Sequence, residues 1–69
     1  MIKAEIQERL DKQTFEPFRV NVTDGKHYDV IDPNRVVAMG TRVFIALPDN
    51  RWTLIAFRHV ASLEDLQTA

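Results

Sequence analysis

The sequence predicts an α+β domain: an N-terminal helix packed on a strongly bent antiparallel sheet of four to five strands. Three observations carry that expectation. Ile2, Ile6 and Leu10 recur at i, i+4 and i+8, the spacing of one helix face. Beyond Pro17 the period changes to two, with Phe18, Val20 and Val22 alternating with Arg19, Asn21 and Thr23, as in a half-buried strand. Asp24-Gly25, Asp32-Pro33-Asn34, Gly40-Thr41 and Pro48-Asp49-Asn50 then cut the remaining chain into runs of strand length. One domain over residues 1–69 is expected, with a helix over 2–13 and a β body over 17–64.

The helix comes first. Glu5–Arg9 and Glu8–Lys12 are i,i+4 pairs in the favourable order, each worth about 0.2–0.5 kcal/mol. That is too little for so short a helix in isolation, so the apolar stripe must pack on something. In Phe15-Glu16-Pro17-Phe18, the proline disfavours helical geometry at Glu16 and turns the chain into the first strand. The two phenylalanines are expected to plug the helix onto the sheet.

The register of the first hairpin follows from its letters. A two-residue loop at Asp24-Gly25 would set Val22 against His27 and Val20 against Asp29, apolar against polar. A three-residue loop, Thr23-Asp24-Gly25, pairs Val20 with Tyr28 and Phe18 with Val30 instead. Apolar then meets apolar, which favours a type I turn followed by Gly25 as a left-handed bulge. Glycine suits that position because it takes positive φ without a Cβ penalty.

After the Asp32-Pro33-Asn34 bend, Val36–Met39 resumes as a strand. Arg42–Leu47 and Trp52–Phe57 form a second hairpin around Pro48-Asp49-Asn50. A three-residue loop opposes Ala46 to Trp52 and Phe44 to Leu54 on one face, Ile45 to Thr53 and Val43 to Ile55 on the other. Both faces are apolar. An open sheet would waste one on water, so the sheet must curve onto itself or be covered by the helix or another subunit. Val60–Glu64 reads either as a short closing strand or as the start of a C-terminal helix through Leu66.

Length and composition narrow the function. A chain of 69 residues buries only about 60% of the surface its unfolded form exposes. It has no cysteine to staple it, and small chains without staples often gain stability by self-association. The seven charges of residues 1–16 do not suit a secretory leader, and no apolar run approaches the roughly 20 residues of a membrane helix. A cytoplasmic location is the expectation. Net charge is −1, which does not favour bulk attraction to nucleic acid. Residues 17–60 do hold six basic side chains against four acidic ones, a local excess of +2. Arginines spaced along strands are usually a solvated rim.

Little in the chain is overtly chemical. His27 and Asp29, at i and i+2, project from one face of a strand and could share a divalent metal; the competing reading is an exposed polar hairpin edge. Ser62 lacks a nucleophile-elbow setting. Two glycines, Gly25 and Gly40, cannot make a phosphate-cradling loop. No cofactor is implied, and an enzyme is not expected. Tyr28, Trp52 and Phe57 beside Arg51 and Arg58 have the residue types that stack and neutralise single-stranded RNA. The blander reading, and the preferred one, places Trp52 and Phe57 in the core.

Two resemblances can be stated. Phe15-Glu16-Pro17-Phe18, Asp24-Gly25, Tyr28-Asp29-Val30 and the Asp32-Pro33 turn together resemble a group of short uncharacterised bacterial proteins with a Phe-x-Pro-Phe, Asp-Gly, Pro pattern, which implies no activity. The layout of one helix and about five short strands is similar to Sm-like domains, small SH3-like barrels that assemble into RNA-binding rings. Phe57-Arg58-His59-Val60 resembles the Tyr-Lys-His-Ala motif of their bacterial host-factor branch. That resemblance implies RNA contacts at Arg58 and His59, with Arg51 as a further candidate. The sequence departs from it where the second strand lacks a bending glycine and where Asp32-Pro33-Asn34-Arg35 replaces the Asp-x-φ-Asn loop.

The leading expectation is a small non-enzymatic interaction module that self-associates and binds a protein partner through the second apolar face of the 42–57 hairpin. Val43, Ile45, Leu47, Ile55 and Phe57 are the expected interface, with Ile45→Lys as the disrupting change. The alternative is an Sm-like ring protein recognising single-stranded RNA.

Overall fold

The computed structural model describes residues 2–66. Helix α1 (Ile2–Leu10) is followed by β1 (Phe18–Val22), β2 (His27–Val30), a 3-10 turn over Pro33–Arg35, β3 (Val36–Met39), β4 (Arg42–Ala46), β5 (Trp52–Ala56), a second 3-10 turn over Phe57–His59, and β6 (Val60–Asp65). The strands make two antiparallel three-stranded sheets, β2-β1-β6 and β3-β4-β5. The α+β class is therefore as expected. The single sheet of four to five strands is corrected to six strands in two sheets, with no closed barrel among the described residues. Asp32-Pro33 makes the break: Asp32 accepts a hydrogen bond from the Asn34 amide at 2.9 Å, and proline has no N–H to continue a ladder.

The helix is shorter than expected, ending at Leu10 rather than residue 13. One turn past Leu10 stands Thr14, a polar residue that cannot extend the stripe. Asp11 accepts from the Gln7 side chain at 2.9 Å as the chain leaves the helix. The charge pairing also differs. Arg9 pairs with Asp65 across the molecule and lies 5.5 Å over the Phe18 ring, while Lys12 reaches Glu16 at 3.4 Å. Phe18 is fully buried, and Phe15 packs beside it with ring centroids 6.1 Å apart. The phenylalanines thus join helix to sheet as expected.

Both hairpin registers agree with the sequence. Val20 faces Tyr28 and Phe18 faces Val30; Gly25, at φ +92°, closes the turn by donating to the Val22 carbonyl at 3.0 Å. In the second hairpin Ala46 faces Trp52, Phe44 faces Leu54, Ile45 faces Thr53 and Val43 faces Ile55. The alternative left open at the C-terminus resolves as a strand through Asp65, because the second edge of β1 takes β6 as partner. One core cluster draws on every helix and strand: Ile6, Phe18 and Val20, Val30, Val36, Val43 and Ile45, Ile55, and Val60. Among the described residues no helix is long and apolar enough to cross a membrane.

Candidate interaction surface

Each sheet turns one face to the shared core, and the two outer faces are opposite in character. On sheet β2-β1-β6 the outward residues are polar and bonded to each other. Arg19 holds Asp29 at 2.7 Å, and the Asn21 amide donates to Ser62 and Glu64 at 3.0 Å each. The Arg19 guanidinium keeps the Asp29 carboxyl below the usual carboxylate value, while the guanidinium itself is pushed up by that bond. Such a face is already content in water.

The outer face of β3-β4-β5 is apolar. Val37 is 50% exposed, Met39 46%, Leu54 39% and Trp52 63%. Val37, Phe44 and Leu54 lie in one rung across the three strands, and Trp52 stacks on Phe44 with centroids 5.8 Å apart and planes 26° from parallel. Large apolar side chains scattered singly need no explanation, but a contiguous patch marks a contact surface. The patch continues into an open groove of about 820 Å³ between the β2–β3 connection and the β4–β5 turn, where Asp32, Arg35 and Arg51 join Phe44 and Trp52.

The expected interface residues fall elsewhere. Val43, Ile45 and Ile55 are 0%, 2% and 7% exposed, and Leu47 and Phe57 pack half-buried against the same core. The hairpin does have two apolar faces, but the face named from the sequence is the one the chain buries within itself. Trp52, expected in the core, stands in solvent, while Phe57 is half-buried. Alternation could have separated the two sets, since Trp52 and Leu54 share parity with each other and not with Ile55. What it could not say is which set turns inward.

The other candidates are also dispersed. Arg58 and His59 sit exposed side by side on the second 3-10 turn, with Arg58 Nε 3.5 Å from His59 Nε2. The whole of β5 separates them from Arg51, about 17 Å at 3.4 Å per residue, so the three are not gathered at one point. His27 and Asp29 do share an exposed strand face, but Asp29 is engaged by Arg19. Asp32 is turned to the Asn34 amide, with Arg35 at 3.9 Å. Among the described residues no three histidine or acidic side chains gather as a metal site would need. No family model, no curated protein and no solved structure matches this chain.

Proposed function

We propose that the chain is a small non-enzymatic interaction module that self-associates and docks a protein partner, using the apolar outer face of β3-β4-β5. The exposed rung Val37–Phe44–Leu54, with Trp52 beside it, carries this reading. Burying it would give a cysteine-free chain of 69 residues the extra apolar contact that one small core supplies poorly. Its neighbours Arg35, Arg42 and Arg51 give the patch the polar rim usual for protein contacts.

The substitution that tests this is Leu54→Lys. Leu54 is partly exposed at the middle of β5, so a lysine can keep its ammonium in water without disturbing the core. The expected result is a monomer with the parental circular dichroism. A folded Leu54→Lys protein that keeps the parental mass contradicts the proposal. The Ile45→Lys change expected from the sequence would put a charge into the core and report on folding instead.

A second reading, an Sm-like ring on single-stranded RNA, is supported by the adjacent exposed Arg58 and His59. It predicts a ring of five to seven subunits carrying nucleic acid, with affinity that falls as salt rises because phosphate contacts release counterions.

A further inference from the structure

The geometry points to β5 as a strand edge that pairs antiparallel with β5 of a second copy, about a two-fold axis at Leu54. This rests on the self-association proposed above but assigns it to the edge of that sheet, leaving the outer face to the protein partner. The edge is identified by its hydrogen bonding. Leu47 donates to the Arg51 carbonyl at 2.8 Å across the hairpin, and the register places Ile45 opposite Thr53 and Val43 opposite Ile55. Antiparallel rungs alternate, so Thr53 and Ile55 turn their backbone groups toward β4. Those of Trp52, Leu54 and Ala56 turn outward. β5 is the last strand of its sheet, and among the described residues these three have no backbone partner beyond it.

Free edges are normally blocked by charges, by proline or by a covering element. The other three edges of this molecule follow that rule. β2 carries His27 and Asp29 and ends before Asp32-Pro33, β6 carries Glu64 and Asp65, and α1 lies against β3. β5 reads Trp-Thr-Leu-Ile-Ala, without a charge or a proline, and its exposed side chains are the apolar ones. Among the described residues, β5 is the edge with neither a charge, a proline nor a packed helix beside it.

Three features select a second copy as the occupant. Leu54 is the midpoint of a five-residue strand and one of its outward-bonding residues. A two-fold there therefore sets Leu54 against the partner's Leu54 and Trp52 against the partner's Ala56, with every outward N–H and C=O paired. The bulk of each indole meets the smallest side chain of the strand. Charge also favours this direction. A parallel pairing would set Arg51, which directly precedes the strand, beside the partner's Arg51. The antiparallel register separates the two, bringing each Arg51 level with the partner's Phe57 at the opposite end of the strand. The product is a six-stranded sheet whose outer rung runs Val37, Phe44, Leu54 and on through the partner's Leu54, Phe44 and Val37. The docking face proposed above is thereby doubled.

Five residues of edge bury less than the roughly 800 Å² per partner of a standard stable interface, so the dimer dissociates on dilution and is best read by trapping. The chain has no cysteine, so single-cysteine variants report cleanly. Leu54→Cys puts two thiols across a rung with Cα atoms about 5.5 Å apart, within disulfide reach. Val37→Cys, two strands in, leaves its thiols about five strand spacings apart, on the order of 24 Å. Under mild oxidation the expectation is covalent dimer from Leu54→Cys and none from Val37→Cys. Dimer from both variants would mean that outer faces stack, and would overturn edge pairing while keeping self-association. Oligomer by mass without a Leu54→Cys cross-link would do the same. A parental protein that stays monomeric at millimolar concentration would overturn self-association itself.

Discussion

Gly25 stands at φ +92° with nothing within 4 Å of where a Cβ would be. A side chain there meets no clash, so its cost is the backbone conformation alone, about 1–2 kcal/mol. Gly25→Ala should lower the unfolding free energy by that amount, read as a lower urea midpoint with an unchanged slope. An unchanged midpoint would mean that the hairpin does not depend on the left-handed bulge. Asp49 and Asn50 also take positive φ, +63° and +60°; they are the residue types that tolerate it best after glycine. These turns were legible because their chemistry is written in single letters. The ion pairs were not, because a long side chain finds its partner in space. Arg9 passes over the Glu5 one turn away for Asp65 and the Phe18 ring. That contact, and the one from Arg19, hold the carboxyls of Asp65 and Asp29 below their ordinary value of 3.8. The folded chain thus binds fewer protons than the unfolded chain in that range. The stabilisation is complete above the ordinary carboxylate value and is lost as pH falls through the depressed folded ones. Thermal midpoints measured from pH 7 to 2 should fall less steeply for Asp65→Asn than for the parent. Superimposable slopes would show that the exposed Arg9 contact contributes nothing to stability.

At the scale of elements, both hairpin registers could be read from the sequence because loop length and side-chain period together fix a pairing. The end of α1 could not, since the polar stretch from Asp11 to Thr14 is compatible with helix or coil. The inward face of β4 and β5 was equally hidden. Val43, Ile45 and Ile55 are no more apolar than Phe44, Trp52 and Leu54, and only the crossing from sheet to sheet at Asp32-Pro33 decides which set meets Phe18 and Val20. The two sets should respond differently to truncation. Ile45→Ala should cost about 2–5 kcal/mol through lost burial and the cavity left behind. For a domain of this size that approaches the whole stability. An Ile45→Ala protein as stable as its parent would contradict the assignment of that face to the core.

The whole molecule is two sheets sharing one core, with a self-satisfied polar face on one side and an open apolar face on the other. The polar face was foreshadowed by the charges of β1 and β2. The apolar one was foreshadowed by the expectation that a hairpin greasy on both sides needs a cover. What lay beyond the sequence is that none of the described residues covers it, so that the free surface and the free edge coincide at β5. Self-association there is the central claim. Its most direct test is native mass spectrometry, over a concentration series, of protein purified without nuclease. A population at twice 8.0 kDa, 16.0 kDa, that grows with concentration and carries no nucleic acid is the predicted result. A mass of 8.0 kDa at every concentration would contradict the account, and a ring of five or more subunits bearing RNA would replace it with the Sm-like reading.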